Sequence, residues 1–230
     1  MRNIAIILAG GVGKRVGGSI PKQFRSIAGK TILEHTIDKF ENHNQIDEIT
    51  LVVSAAQTQR VQEIIGQAGY KKIRHIAEGG RERYHSTLSA LNIYKGTPVN
   101  LLIHDAVRPM VTDRIISEVI AALSEYKAVN VAIPATDTII ETDPTHSFLN
   151  RVPERERLYQ VQTPQGFYMP VLYAAYQKAL EDPGFKTTDD CGVILKYLPE
   201  EKIKIVRGET TNLKFTYEED LFLLEYLLKK

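Results

Sequence analysis

The sequence predicts a three-layer α/β fold: a Rossmann-like, mostly parallel twisted sheet with helices on both faces and a β-arm protruding from it. Three observations carry this. Short β-rich runs alternate with longer segments of helical spacing, the rhythm of parallel strands joined by crossover helices. The first run, Ile4 to Ala9, is apolar throughout and stops at Gly10-Gly11, as a buried strand does before a tight turn. The rhythm then breaks once, between Thr136 and Gln160.

Taken in order, the predicted strands are Ile4–Ala9, Glu48–Val53, Ile73–Ala77, Asn100–His104 and Asn130–Pro134. Amphipathic spacing places helices between them at Ile32–Glu41, Gln57–Gly66, Tyr84–Tyr94 and Arg114–Tyr126. Thr138 to Thr142, then Asp143-Pro144-Thr145-His146, then Ser147 to Leu149 reads as strand, turn and strand, too short for a crossover helix. This is the β-arm, at about 136–160. Helices at Pro170–Leu180, Asp189–Tyr197 and Glu218–Leu228 follow, with a strand at Lys202–Val206 before the last.

The 230 residues carry no repeat, low-complexity tract or Gly/Ser linker, so one domain over 1–230 is expected. Lys and Arg total 29 against 28 Asp and Glu, a formal charge of +1 spread along the chain. A nucleic-acid or membrane-surface binder needs an excess of positive charge over a face, so neither partner is expected. The one cysteine, Cys191, leaves no internal disulfide or multi-cysteine metal site and suits a reducing cytoplasm; its expected place is the interior of a late helix. The six-residue apolar run near the N-terminus is too short for a signal peptide or membrane span, which points to a cytoplasmic protein.

Four constellations carry chemistry. The turn after the first strand holds Gly10, Gly11 and Gly13 with Lys14 and Arg15, followed by Pro21-Lys22-Gln23-Phe24. Glycines directly after a strand free backbone N–H groups to wrap an anion, and the cations add charge, so the loop reads as a phosphate cradle. It is not a Walker A loop, because Arg15 follows Gly13-Lys14 where Ser or Thr is needed. It is not a dinucleotide fingerprint either, because Val16 stands at the third glycine. The second constellation, Glu78-Gly79-Gly80-Arg81-Glu82-Arg83-Tyr84-His85-Ser86-Thr87, sets two glycines and two arginines ahead of a helix, where Gly80 and Ser86 could read a base or ribose and Arg83 a phosphate.

The third, His104-Asp105-Ala106-Val107-Arg108-Pro109, ends an apolar strand, where α/β sheets hold ligands; Asp105 could hold a divalent metal or orient a nucleotide, and His104 is expected to be structural. The fourth comprises 155–165 and 208–216, late segments that matter to the chemistry only if the fold returns them to the first loop.

These blocks, together with Asp137-Thr138, Gln162-Thr163-Pro164-Gln165, Thr188-Asp189-Asp190, Asn212-Leu213-Lys214 and Asp220-Leu221, resemble the family of 2-C-methyl-D-erythritol 4-phosphate and ribitol-5-phosphate cytidylyltransferases over the whole chain. The resemblance implies a nucleotidyltransferase, GT-A-like version of the fold and transfer of CMP from CTP to a polyol phosphate, with Mg²⁺ required. Ala9, Gly10, Gly11, Gly13, Gly80, Arg83, Ser86, Asp105 and Ala106 would hold CTP, and Arg15, Lys22 and Lys214 would surround its phosphates as the catalytic cations. Arg108, Thr138, Arg155 and Thr163 would grip the acceptor phosphate, some of them from a second subunit through the arm, making a homodimer. Gly10, Ala106-Val107-Arg108, Leu158-Tyr159-Gln160 and Gly208-Glu209 look closer to the ribitol branch.

The chemistry agrees with the residues. An acceptor phosphate is already anionic, so attack on the α-phosphorus needs positioning and cations rather than a strong base. A nicotinamide-dependent reductase would place an acid at the end of the second strand, and Val53-Ser54-Ala55 offers none. A UTP- or GTP-dependent transferase and a CTP-binding regulator remain alternatives.

Overall fold

The computed structural model describes residues 1–11 and 20–229. In chain order the elements are β1 (Asn3–Ala9), β2 (Ser26–Ile27), β3 (Lys30–Thr31), α1 (Ile32–Glu41), β4 (Glu48–Val53), α2 (Thr58–Ala68), β5 (Ile73–Glu78), α3 (Arg83–Ile93), β6 (Asn100–Asp105), α4 (Asp113–Ala122) and β7 (Ala128–Pro134). There follow β8 (Glu141–Thr142), β9 (Leu149–Arg151), β10 (Tyr159–Tyr168), α5 (Met169–Leu180), α6 (Asp190–Tyr197), β11 (Ile203–Arg207) and α7 (Glu219–Leu228). Seven strands form one sheet in the order β11-β7-β10-β6-β1-β4-β5. Pairing is parallel for β1 with β4 and β6, for β4 with β5 and for β7 with β11, and antiparallel only where β10 lies between β6 and β7.

The alternation of side chains along β1 explains the three layers. Ala5, Ile7 and Ala9 point into a core shared with Leu33, Ile37 and Phe40 of α1, Val61 of α2 and Ile116 and Val119 of α4. Ile4 and Ile6 point the other way, into a core with Leu91 of α3, Leu172 and Tyr176 of α5 and Ile194 of α6. A third cluster of Ile27, Ile32, Val107, Phe215 and Leu224 seats α7 beside the β2–β3 hairpin. Cys191 is buried in α6, where the sequence reading put it. No helix among the described residues is long and apolar enough to cross a membrane.

Local signals set several boundaries. Thr31 and Glu34 form a reciprocal capping box at the start of α1, with Glu34 N–H donating to Thr31 Oγ1 at 3.2 Å and Thr31 N–H to Glu34 Oε2 at 2.8 Å. Gly69, at φ 69°, ends α2 in the left-handed conformation that a glycine adopts without a Cβ clash.

The structure departs from expectation in two places. Residues 159–168 form a ten-residue strand inside the sheet, whereas the arm was expected to run to Gln160 and no strand was predicted between it and the helix at Pro170. Pro164 hides this strand, because proline cannot donate to a ladder; here it sits at a bulge, where the pairing with β7 shifts between Gln162 and Gly166. The β-arm is real but smaller, with only β8 and β9 paired, so Thr138 lies in a loop before it. Its turn is fixed by Asp143, whose Oδ1 accepts N–H bonds from Ser147 and Phe148 at 3.0 Å.

Candidate active site

From β1 the chain moves outward to β4 and β5, then returns to β6 on the other side of β1, so the strand order reverses between β1 and β6. Loops leave such a point in opposite directions and open a crevice at the carboxyl ends of the strands. A cavity of about 800 Å³ lies there. Ala9, Gly10, Gly11, Lys22, Gly80, Arg83, Ser86, Asp105, Ala106 and Lys214, all expected at the site, line it together. Gly13 and Arg15 lie outside the described residues.

The two glycine turns are packed against one another through Ser86. A Cβ on Gly79 would lie 2.8 Å from Ser86 Oγ, and one on Gly10 would lie 3.5 Å from it. Gln23, buried in the single turn Lys22–Phe24, donates to the carbonyls of Ala9 at 2.8 Å and Gly11 at 3.2 Å, so the first turn is tied down from beneath. Lys22 Nζ donates to the carbonyl of Phe215 at 3.2 Å, and the Phe215 N–H donates to the Val107 carbonyl at 2.9 Å. The late segment 208–216 is thus returned to the first loop, and it brings Lys214 with it.

Asp105 is the electrostatic centre. It emerges at the end of β6 opposite Leu8 of β1. Its carboxylate lies 2.8 Å from Lys214 Nζ, 3.5 Å from Arg108 Nε and 4.0 Å from Arg83 Nε. Burial disfavours the anion, but Lys214, Arg83 and Arg108 outweigh it and hold the carboxyl well below the usual range. Arg83 is itself opposed by burial and held charged by Asp190, which it meets at 2.6 Å, and by Asp105.

Beneath Asp105 the hydrogen bonds fix a tautomer. His104 Nε2 lies 3.0 Å from the Arg108 carbonyl, which can only accept, so Nε2 carries the proton. Nδ1 then accepts from the Thr163 hydroxyl at 3.0 Å, and Thr163 Oγ1 accepts the Asp105 N–H at 3.1 Å. Burial pushes the His104 pKa down to about 4, so the ring is neutral at physiological pH, in keeping with the structural role expected of it.

The expected acceptor residues are not gathered in the same way. Arg108 is buried and donates to the Asn212 carbonyl at 2.7 Å and the Val161 carbonyl at 3.4 Å, which braces β6, β10 and the late loop. Thr163 is buried with its hydroxyl engaged by His104 and Asp105. Thr138 and Arg155 are exposed at the arm and do not line the cavity of their own chain. Ser54, Arg81, Glu82 and Thr188 also line the cavity without having been given roles from sequence. Thr188 had a signal in its Thr-Asp-Asp block, and Ser54 had one in following a strand end.

The described residues form no all-protein metal cage, so a Mg²⁺ here would have to be held jointly by the triphosphate and at most a single carboxylate. Asp105, the expected ligand, already faces three cations, and no group of three or more His, Cys, Asp or Glu among the described residues could hold a metal ion.

Taken together, a doubly wound sheet, two glycine turns at its switch point and one lysine and two arginines around one buried carboxylate define a nucleotidyltransferase, built to bind a nucleotide and stabilise charge on its phosphates. The family of 2-C-methyl-D-erythritol 4-phosphate cytidylyltransferases matches residues 3–230, and the chain belongs to it. Members are CTP-dependent cytidylyltransferases acting on a polyol phosphate. A relative 46% identical over 99% of this chain is the bifunctional ribulose 5-phosphate reductase/CDP-ribitol pyrophosphorylase Bcs1 of Haemophilus influenzae, of which the chain spans 48%. The 2-C-methyl-D-erythritol 4-phosphate cytidylyltransferase of Thermobifida fusca is 42% identical over 99% of this chain and 94% of its own length. Among solved structures, 4-diphosphocytidyl-2C-methyl-D-erythritol synthase from Anaerococcus prevotii superposes with a TM-score of 0.86 at 31% identity, covering 100% of this chain and 96% of that one.

Proposed function

We propose that this chain transfers CMP from CTP to D-ribitol 5-phosphate, forming CDP-ribitol and releasing pyrophosphate. The observation that carries the transferase half is the convergence of Lys22, Lys214 and Arg83 on one cavity with the Gly10-Gly11 turn and Asp105. An acceptor phosphate oxygen attacks the α-phosphorus of CTP, the new P–O bond forms as the bond to the pyrophosphate oxygen breaks, and no covalent enzyme intermediate is needed. Lys22 and Lys214 stabilise the charge on the phosphoryl group and the leaving pyrophosphate, joined by Arg15. Ala9, Gly10, Gly11, Gly13, Gly80, Ser86 and Ala106 cradle the nucleotide. Asp105 is the carboxylate of the cavity that would help the triphosphate hold a Mg²⁺, which when bound would supply further positive charge against the phosphates.

Arg108 and Thr163 hold the floor on which the acceptor sits, while Thr138 and Arg155 reach it from the arm of a second copy. Support for that homodimer is the apolar surface of the arm, where Phe148 is 73% and Leu149 60% exposed. The continuous sheet supports reading 1–230 as one domain, and a buried lone Cys191 suits a cytoplasmic setting.

The ribitol acceptor is supported by the 46% identical relative, whose name includes CDP-ribitol pyrophosphorylase. A second reading, 2-C-methyl-D-erythritol 4-phosphate, is favoured by the family match over 3–230 and by the 42% identical relative from Thermobifida fusca. Pyrophosphate release with CTP and Mg²⁺ is compared for D-ribitol 5-phosphate, 2-C-methyl-D-erythritol 4-phosphate and sn-glycerol 3-phosphate. A higher kcat/KM with ribitol 5-phosphate is expected. Preference for the methylerythritol substrate overturns the acceptor and keeps the mechanism, and CTP binding without turnover on any acceptor points to a regulator.

A further inference from the structure

Arg83 opens α3, and its guanidinium borders the cavity, so its long side chain must be fixed before it can serve a ligand. Its Nη1 donates to Asp190 Oδ2 at 2.6 Å. Asp190, the first residue of α6, is completely buried and does not itself line the cavity. Its other oxygen accepts the Tyr176 hydroxyl of α5 at 2.6 Å. Its N–H donates to Gln165 Oε1 at 3.2 Å, and Gln165 Nε2 donates to Asp189 Oδ2 at 2.5 Å and Asn130 Oδ1 at 3.1 Å. The carboxylate is therefore held by Tyr176 of α5, while Gln165 of β10 holds the backbone of the same residue, and Arg83 is the one cation within ion-pair reach of it among the described residues. On the far side of the guanidinium lies Asp105, at 4.0 Å.

A buried anion with two short charge-assisted bonds is a rigid anchor, because releasing either partner leaves charge uncompensated in the interior. We propose that Asp190 is a positioning residue for nucleotide binding: held by Tyr176 and Gln165, it fixes Arg83 at the cavity wall, so that the remaining guanidinium donors serve the nucleotide. The proposal rests on reading the cavity as the nucleotide site. Asp190 acts only through Arg83, and that separates positioning from general support of the fold.

The experiment measures CTP affinity, the KM for CTP and the KM for the acceptor in wild type, Asp190→Asn, Arg83→Ala and the double variant, with thermal melts as the folding check. Asp190→Asn is expected to weaken CTP binding about tenfold to a hundredfold, as loss of a hydrogen bond to a charged group does, with the acceptor KM unchanged. In the Arg83→Ala background the same change is expected to add nothing. Unaltered CTP affinity in a folded Asp190→Asn, or an equal loss with and without Arg83, overturns the proposal.

Should Asp190→Asn not fold, Tyr176→Phe keeps the buried charge while releasing one of its anchors. It is expected to weaken CTP binding severalfold only when Arg83 is present, and no change overturns the proposal. Wild type is also titrated with UTP, ATP and GTP. If one of these binds in place of CTP, the cytidine reading falls and Asp190 is judged on that nucleotide; if none binds, both fall.

Discussion

Lys214 Nζ lies 2.8 Å from the carboxylate of Asp105, although one residue ends a central strand and the other belongs to a late loop. The pairing gives the cavity a fixed cation at its floor and keeps Asp105 ionised in a buried place. Lys214→Ala is expected to lower kcat/KM for pyrophosphate release by about 10² to 10³, the scale of losing one preorganised donor at a transition state. Because Lys214 also holds the buried Asp105 carboxylate ionised, the variant should melt at a lower temperature than wild type, and turnover is compared where both are folded. Turnover near wild type would remove Lys214 from the catalytic set.

Lys22→Ala and Arg15→Ala are expected to lower turnover by a similar factor, about 10² to 10³ each, with the fold retained. Lys22 reaches the cavity from a turn anchored by buried Phe24 and Gln23, so its truncation leaves that anchor in place. Steady-state kinetics with circular dichroism checks both variants, and normal kinetics in either would exclude that residue.

Gly166→Ala tests the packing of β10 rather than the chemistry. An added Cβ would lie 2.5 Å from Val119 Cγ1 and 3.1 Å from Leu123 Cδ1, so these buried side chains, or α4 with them, must shift. Overpacking of this kind costs about 1 to 3 kcal/mol. Denaturant unfolding should show that loss, and a wild-type midpoint would contradict the close approach of α4 to β10.

Acid should weaken the fold through His104. The folded ring titrates at about 4 against an ordinary 6.5, so between those values the unfolded chain binds more protons and stability rises with pH. On acidification the loss runs from about pH 6.5 to about pH 4 and amounts to roughly 3 kcal/mol. Asp105 adds to it further down, because a depressed carboxyl contributes stability above its unfolded pKa that is lost as pH falls below it. Unfolding free energy measured across this range should slope upward with pH, and His104→Gln should flatten the upper part. An unchanged slope in that variant would assign the acid sensitivity elsewhere.

Much of this architecture was legible because burial on both faces leaves long apolar runs, as in β1, β4 and β6. The strand β10 was not, because Pro164 and the polar Gln162, Thr163 and Gln165 mimic a loop, and their side chains are satisfied only by distant partners such as Asn212, His104 and Asn130. The same limit governs the site. The glycine turns and Asp105 could be placed from local pattern, whereas the ties from Lys22 to Phe215 and from Arg83 to Asp190 join residues far apart in the chain, which no local spacing encodes. The two-residue strands of the β2–β3 hairpin were too short to carry a period.

The most direct measurement follows the phosphorus atoms. The protein is incubated with CTP, Mg²⁺ and D-ribitol 5-phosphate, and the mixture is read by ³¹P NMR and mass spectrometry. The account predicts loss of the CTP signals with equal formation of pyrophosphate and CDP-ribitol. CTP left intact beside D-ribitol 5-phosphate, at protein concentrations where CTP is bound, would contradict it.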